Sequence, residues 1–169
     1  MDVMQAVRQR RSIRKYLDKP VPTDVLEQIM NAARLAPSAR NLQEWKFVVV
    51  RDPDLRRQLG ESSGYPFIAS APVIIAGVSL APERVMSCEV PAYAVDLAIA
   101  MTNITLAAVE SGLGTCWIGG FTQQKVKDAL RIPDDYKVVE LMPLGYPAEE
   151  PDQRPRKALE EILCFDTWE

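Results

Sequence analysis

The stretch YAVDLAIAMTNITLAAVESGLGTCWIGGF, residues 93–121, decides the fold of this chain. Thirteen uncharged residues, LAIAMTNITLAAV, separate Asp96 from Glu110 within it. They predict a helix over residues 92–111 that is apolar on nearly every face, and such a helix is buried on all sides. Gly112 is a natural C-cap. Because a chain of 169 residues has little material to surround a helix, the pattern indicates that a second subunit covers one side.

Shorter elements flank this helix on both sides. The β-branched and aromatic run WKFVVV (45–50) predicts a strand, and the wholly apolar run VIIAGV (73–78) predicts a central strand. Two more strands are expected at 116–118 and 137–144. The remaining helices are expected at 2–9, from the N-cap Thr23 to before Pro37, at 53–59 and after the cap Thr122.

The order of these elements predicts the fold class. Helices and strands mixed in this way favour an α+β or three-layer arrangement around a mixed sheet of about four strands. No linker is long enough to separate two domains, so residues 1–169 are expected to form one domain.

Composition excludes several classes of function. The chain contains no histidine, which excludes a Ser-His-Asp triad, a Cys-His dyad and an HExxH zinc site. The formal net charge is −3, whereas a general nucleic-acid binder is expected to be basic. The three cysteines Cys88, Cys116 and Cys164 form no CxxC pair and are expected to be free, buried thiols in a reducing cytosol. If the chain is an enzyme, another group must carry its protons or electrons.

Targeting signals are not evident. The N-terminal residues MDVMQAVRQRR lack the apolar core of a secretory signal, and prolines interrupt the uncharged stretch between Glu61 and Glu83. We therefore expect a cytoplasmic protein that does not cross a membrane.

Two basic clusters are the candidates for chemistry. The first comprises Arg8, Arg10, Arg11, Arg14 and Lys15, and the second comprises Arg154, Arg156 and Lys157. Each could be a solvated basic surface, since cations are favoured at helix C-termini. Alternatively, arginine forks match phosphate oxygens, and two clusters in an acidic chain could converge on one phosphate. The sequence contains neither a GxxxxGK[ST] phosphate loop nor a GxGxxG dinucleotide motif.

Taken together and in this order, six segments of the chain resemble the nitroreductase family of FMN-dependent oxidoreductases. The segments are RRSIRKY (10–16), AARLAPSARNLQEWKFVVV (32–50), AP followed by a strand (71–78), residues 93–121, MPLGYPAEE (142–150) and RPRKALEEI (154–162).

The resemblance implies roles for the N-terminal cluster. Arg10 and Ser12, with Arg11 beside them, match positions that hold the phosphate and ribityl chain of FMN. Arg14 matches a basic residue near flavin N1 and the C2 carbonyl, where a fixed cation stabilises the negative charge that arises on reduction.

The resemblance also implies three further groups of cofactor-binding residues. A loop that reaches the flavin from the partner subunit is matched by Pro37, Ser38, Ala39 and Asn41. A segment on one face of the flavin ring is matched by Ile118, Gly119 and Gly120, with the Gly119 amide directed at N5. The far phosphate contacts are matched by Arg154 and Arg156. Taken singly, Asn41 could merely cap a turn and the two glycines could merely end a strand.

The family resemblance implies an α+β fold with three layers, α/β/α, in which helices flank a mixed, mainly antiparallel sheet of about four to five strands. It also implies a homodimer with FMN at the subunit interface, in which the tail at about 159–169 packs on the partner subunit. It implies ping-pong transfer of two electrons from NAD(P)H through flavin N5 to a small organic acceptor such as a nitroaromatic or a quinone. An FMN-binding protein without turnover, acting as a carrier or sensor, is the alternative. A colourless anion-binding or nucleic-acid-binding module is a third possibility. The sequence does not identify the acceptor, nor does it distinguish NADH from NADPH.

Three features depart from the family pattern. Glu44 stands where the family usually has proline before Trp45. The usual contacts to the pyrimidine edge of the flavin have no clear match, although Ser62, Ser63 and Tyr65 lie near that position. Only fourteen residues separate Val78 from Tyr93, where larger members carry helices that shape the substrate pocket.

Overall fold

The computed structural model describes residues 1–168, and its elements follow the predicted order. The α-helices are α1 (Val3–Gln9), α2 (Thr23–Arg34), α3 (Pro53–Ser63), α4 (Ala92–Glu110) and α5 (Gln123–Leu130). The strands are β1 (Trp45–Val50), β2 (Val73–Ser79), β3 (Gly114–Thr115) and β4 (Lys137–Gly145). Short 3₁₀ turns occur at Ala39–Asn41, Pro66–Ser70 and Leu159–Glu161.

The four strands of the described residues form one sheet in the order β1-β2-β4-β3. All three strand pairings are antiparallel, and a single parallel bridge joins Ser12 to Thr115 at the β3 edge. Every residue of β2 is buried, as expected for a wholly apolar strand with a neighbour on each side. The prediction of a mainly antiparallel sheet in an α+β fold is therefore confirmed.

Helices cover both faces of the sheet and create two separate cores. On one face, α2 and α4 pack against side chains that include Ile75 and Met142. On the other face, α3, α5 and the turn Pro66–Ser70 pack against Ala76 and Leu141. The alternation along β2 and β4 sends successive side chains to opposite cores, which produces the three-layer α/β/α arrangement.

The long helix α4 is central to the first core. Leu97, Met101, Ile104 and Ala108 are fully buried against α2 and the sheet, whereas Val95 on another face is 37% exposed. The helix is long and apolar enough to cross a membrane by length and composition, a test that core helices of this kind also pass. The core supplied by one chain therefore covers only part of its apolar surface.

The helix starts differ from the predictions in one place. Thr23 is the first residue of α2 rather than its N-cap, because the carbonyl of Pro22 accepts from the Leu26 amide at 3.0 Å. The Thr23 hydroxyl instead accepts from the guanidinium of Arg51. Asp52 caps α3, since its carboxylate accepts from the amide of Leu55 at 2.9 Å.

Two element ends also differ. Helix α3 continues past residue 59 to Ser63, because the hydroxyls of Ser62 and Ser63 bond to carbonyls one turn earlier and the helix ends only at the left-handed Gly64. The expected strand at 116–118 is wrong: β3 is Gly114–Thr115, and beyond it only Ile118 rejoins β4, opposite Leu141.

A buried carboxyl interrupts the apolar core of β4. Glu140 is 1% exposed, and neither of its carboxyl oxygens has a hydrogen-bond partner among residues 1–168. It lies opposite Gly77 of β2, where a Cβ would be 3.3 Å from the sulfur of Met101. Burial raises the pKa of Glu140 to about 9, since a charged carboxylate without a partner is disfavoured in an apolar environment.

The Glu140→Gln variant should change the pH dependence of stability. Between the ordinary pKa of 4.5 and the folded value of about 9, an unfolded chain loses a proton that the folded chain retains. Stability of the natural chain therefore falls as pH rises from about 5 to about 9. Glutamine does not titrate, so the stability of the variant relative to the natural chain should increase with pH. Urea unfolding at several pH values in this range measures the difference, and a pH-independent difference would contradict the assignment.

Candidate functional site

The segment Arg10–Tyr16 lies along the edge of the sheet instead of forming a helix. The Ile13 amide donates to the Thr115 carbonyl, and the Leu17 amide donates to the Tyr146 carbonyl, each at 2.9 Å. The Ala148 amide completes the ladder by donating to the Lys15 carbonyl at 2.9 Å. These bonds connect the N-terminal segment to both β3 and the turn after β4.

Close packing holds this segment in register. A Cβ on Gly114 would lie 2.4 Å from Cγ1 of Ile13, so only glycine allows the two backbones to approach this closely. The hydroxyl of Tyr16 is buried and donates to the Ile13 carbonyl at 2.6 Å. Burial raises the pKa of Tyr16 above its ordinary value. The tyrosine therefore acts as a neutral structural group.

The arginines of both basic clusters line one cleft of about 420 Å³, whereas Lys15 and Lys157 are not among its lining residues. The cleft lies between the end of α1 and the segment after β4. Its walls are formed by Val7, Arg8, Arg10, Arg11, Ser12, Arg14, Pro151, Asp152, Gln153, Arg154 and Arg156. The structure thus brings together six predicted residues, Arg10, Arg11, Ser12, Arg14, Arg154 and Arg156, that are separated by about 140 positions in sequence.

The cleft carries an excess of positive charge, since six arginines and one acidic residue, Asp152, are among its lining residues in the described part of the chain. None of its arginines forms a salt bridge with a carboxylate there. Arg11 donates to the carbonyls of Arg8 and Arg10, at 2.6 and 3.0 Å, and Arg14 donates to the Ser12 carbonyl at 3.3 Å. Arg156 donates to the Arg154 carbonyl at 3.2 Å. Since carbonyl oxygens are neutral acceptors, the cleft keeps a cationic surface suited to an anion.

Cys116 lies next to the cleft, which the sequence did not indicate. Burial raises the pKa of the Cys116 thiol, while Arg14, a hydrogen bond with the Ser12 side chain, and Arg10 oppose that rise. The proximity follows from the pairing of Ser12 with Thr115, a contact between distant parts of the chain that spacing alone does not reveal.

Glu149 is a second residue that the sequence analysis did not single out. Its carboxylate accepts from the amides of Arg14 and Lys15, at 2.7 and 3.2 Å. It orients the backbone that carries Arg14, although its side chain makes no salt bridge to that arginine in the described chain. Its place in the GYPAEE motif was the one available signal.

The segment after β3 presents bare backbone beside β4. Ile118 exchanges two hydrogen bonds with Leu141, at 3.0 and 3.1 Å, and is buried. Gly119 and Gly120 are exposed. A Cβ on Gly119 would meet nothing within 4 Å, whereas one on Gly120 would lie 3.1 Å from the ring of Tyr65. A flat group therefore has open access to the backbone at Gly119.

The hydroxyls of Ser62 and Ser63 are turned inward. They donate to the carbonyls of Leu59 and Gly60, each at 2.9 Å, and both serines are buried. Tyr65 is 46% exposed and packs edge-on against Phe67. Of the three residues noted near this position, Tyr65 is the one with an accessible side chain.

The predicted loop residues Pro37, Ser38, Ala39 and Asn41 do not line the arginine cleft. They connect α2 to β1 and lie beside the start of α4, where the Ala39 amide donates to the carboxylate of Asp96 at 2.9 Å. Within one chain, the structure therefore separates this predicted group from the other predicted site residues.

The cleft and the bare segment suit different parts of one ligand. Unpaired guanidinium groups fit a phosphate, and the open backbone at Gly119 fits a flat ring, so the residues present are compatible with FMN. No group of three or more His, Cys, Asp or Glu side chains among residues 1–168 could hold a metal ion. Fold and site define a three-layer α+β protein with a cationic cleft whose charge suits a phosphate-bearing ligand.

Comparisons with known proteins identify the family. The model of the Nitroreductase family matches residues 7–73 and 64–146. A protein of Methanothermobacter thermautotrophicus named as an NADH dehydrogenase/NAD(P)H nitroreductase is 36% identical over 165 residues, covering 91% of this chain and 82% of its own. This chain belongs to the nitroreductase family.

Two further relatives agree with this placement. The FMN reductase [NAD(P)H] of Bacillus subtilis is 30% identical over 185 residues, which cover 99% of this chain and 74% of that protein. The crystal structure of a nitroreductase family protein from Clostridium novyi superposes with a TM-score of 0.82 at 34% identity and covers 90% of each chain. The resemblance drawn from the sequence is confirmed for the family and its fold.

Alanine substitutions at Gly114, which is tightly packed, and at Gly119, which is not, should have different effects on stability. Gly114→Ala forces a Cβ against Ile13 and should cost roughly 1–3 kcal/mol of stability, as overpacking does elsewhere. Gly119→Ala places its Cβ in open space and serves as the matched control. Denaturant unfolding of the cofactor-free protein measures both changes. Equal losses in the two variants would contradict the packing that positions the Arg10–Tyr16 segment.

Proposed function

We propose that the chain is an FMN-dependent oxidoreductase that oxidises NAD(P)H and reduces a small organic acceptor such as a nitroaromatic or a quinone in two successive half-reactions. The observation that carries this proposal is the cleft in which two distant arginine clusters meet without carboxylate partners in residues 1–168. Related proteins carry the names NAD(P)H nitroreductase and FMN reductase. FMN supplies the two-electron chemistry when it is bound.

The chain's own residues bind and orient the cofactor. Arg10, Arg11 and Ser12 would hold the phosphate and the ribityl chain from one side of the cleft, and Arg154 and Arg156 would hold the phosphate from the other. Arg14 keeps a positive charge that favours negative charge developing on a neighbouring ring. None of these roles requires a side chain that exchanges protons near neutral pH, which agrees with the absence of histidine.

The segment of residues 118–120 would contact the flavin ring. Ile118 is fixed by its two bonds to Leu141, so the backbone at Gly119 and Gly120 is held at a defined position beside β4. Tyr65 lies against Gly120 and is the side chain available to contact an edge of the ring. This assignment gives a residue to the pyrimidine-edge contact for which the sequence offered no match.

We further propose that two copies of the chain form the active unit. The tail from Leu159 onward exposes large apolar side chains, with Phe165 83% and Trp168 91% exposed, and α1 exposes Val3 and Met4. Apolar surface of this extent is typical of an interface. A partner subunit would cover the tail and bring its Pro37–Asn41 loop toward the cleft.

The proposed location is the cytoplasm. All three cysteines are free, as is usual in a reducing compartment. The expectation that they are buried holds for Cys116 but is wrong for Cys88 and Cys164, which are exposed. The acceptor and the choice between NADH and NADPH are left to substrate screening.

Anaerobic titration tests the proposed function directly. The purified protein should carry the absorbance of bound flavin, and NAD(P)H should bleach that absorbance without air. A nitroaromatic or quinone added afterwards should restore it, which would establish two separate half-reactions. Flavin that NAD(P)H cannot bleach would favour the carrier or sensor alternative, and a colourless protein that cannot be loaded with FMN would contradict both. Sedimentation of the same sample checks the proposed dimer.

Arg14→Ala should impair reduction more than cofactor binding. Loss of the cation near the ring should slow anaerobic bleaching by NAD(P)H at least about tenfold, which is about 1.4 kcal/mol of activation free energy. Its side chain has one hydrogen bond, to the Ser12 carbonyl, so folding should be little affected. Stopped-flow absorbance measures bleaching, and fluorescence titration measures the dissociation constant of FMN. An unchanged bleaching rate would remove Arg14 from this role.

A further inference from the structure

The 38–44 loop between α2 and β1 has an unfavourable backbone conformation. Arg40, Asn41 and Gln43 have φ of 55°, 56° and 53° respectively. Asparagine adopts this left-handed region more readily than other non-glycine residues, but arginine and glutamine do so at a cost. Such conformations persist when surrounding contacts hold them. The contacts that hold this loop are therefore part of what shapes it.

Hydrogen bonds secure the first part of the loop. The Ala39 amide donates to Asp96 at 2.9 Å, and the Asn41 amide donates to the Ser38 carbonyl at 2.8 Å. The Gln43 amide donates to the Ser38 hydroxyl at 3.0 Å. Asp96 is buried on α4, so the loop is fixed to the central helix at one point.

Arg84 secures the loop from a second direction. Its Nε lies 2.6 Å from Oε2 of Glu44, and another nitrogen of the guanidinium donates to the Ala39 carbonyl at 3.4 Å. The two side chains are 25% and 34% exposed. One arginine thus contacts both ends of the strained region. The Nε–H of Arg84 makes no hydrogen bond within residues 1–168, so its contact with Glu44 is an ion pair held by charge attraction, while the second guanidinium nitrogen supplies the hydrogen bond to Ala39.

The segment that carries Arg84 is itself well held. The Ala92 amide at the start of α4 donates to the Arg84 carbonyl at 3.0 Å, and the Arg84 amide donates to the Ala81 carbonyl at 3.2 Å. The Leu80 amide donates to the Glu44 carbonyl at 3.1 Å. This connection between β2 and α4 is only about a dozen residues long, which keeps Arg84 close to the loop.

We propose that Arg84 and Glu44 form an ionic clamp that holds the 38–44 loop in its strained shape, and that Arg84 is a positioning residue for the cofactor site. The proposal rests on the proposed function for its last step, in which the loop meets the cofactor of the partner subunit. It gives Glu44 a specific purpose at the position where the family usually has proline. In this proposal, the short connection after β2 serves to hold the 38–44 loop in place.

Variants of this pair have a matched control in the same chain. Arg84→Ala and Glu44→Ala each remove one partner of the ion pair. Arg84→Lys keeps the positive charge but lacks the second nitrogen with which the guanidinium contacts the Ala39 carbonyl. The double variant E44R/R84E reverses the pair. Arg57→Ala breaks the pair between Arg57 and Asp54 on α3, whose nitrogen-to-oxygen distance is 2.7 Å but whose side chains are 63% and 72% exposed. An exposed pair of that kind contributes little.

Hydrogen exchange reports on the clamp without relying on flavin chemistry. The amides of Ala39, Asn41 and Gln43 are hydrogen-bonded and should be protected in the full-length natural protein. In Arg84→Ala and Glu44→Ala their exchange should be about fivefold faster, which corresponds to about 1 kcal/mol. The reversed pair should restore protection at Asn41 and Gln43 at least in part, Arg84→Lys should be intermediate, and Arg57→Ala should match the natural chain.

The link to the cofactor is tested by fluorescence titration of FMN on the same proteins. The dissociation constant should rise by about the same factor in Arg84→Ala and recover in E44R/R84E, while Arg57→Ala leaves it unchanged. Unchanged loop exchange, faster exchange throughout the chain, or no recovery in the reversed pair would overturn the clamp. Faster loop exchange with unaltered FMN affinity would overturn the positioning role. A natural protein that binds no FMN would instead contradict the proposed function, and the exchange data would still decide the clamp.

Discussion

The backbone ladder between residues 12–17 and the β3–β4 edge is the constraint on which the site depends. It lays the N-terminal arginines along the same edge from which the chain leaves β4 toward Arg154 and Arg156. The ladder forms only because Gly114 admits Ile13 at a distance that any Cβ would prevent. The cationic cleft is therefore a consequence of backbone pairing, and the arginines add the charge once that pairing places them.

Elements with a strong local signal were predictable from sequence. β2 could be recognised from its apolar run VIIAGV (73–78), which is typical of a strand buried on both faces. α4 could be recognised because its small and apolar side chains leave no polar face. Boundaries were less predictable where side chains compete with the backbone. The serines at the end of α3 extend it by bonding to their own helix, an outcome that composition alone does not favour.

Contacts between distant segments were not predictable in the same way. The two arginine clusters could be named as candidates for one anion, but their convergence depends on the register of residues 12–17 against Thr115 and Tyr146. The position of Cys116 next to Arg14 follows from that register as well. Glu140 illustrates the opposite limit, since a charged residue type inside an apolar strand gives no local sign that its carboxyl is buried without a partner.

The separation of the arginine cleft from the 38–44 loop within one chain would link FMN binding to formation of the proposed dimer. The positively charged arginines line the cleft, whereas the 38–44 loop lies beside α4 and is held there by contacts with Asp96 and Arg84. If both groups contact one cofactor across a subunit interface, FMN binds the dimer more tightly than the single chain, and by reciprocity FMN strengthens dimerisation. The apparent affinity for FMN then depends on protein concentration. A partner subunit of this kind would also account for the apolar side chains that α4 and the tail leave exposed in one chain, since the proposed interface would cover them.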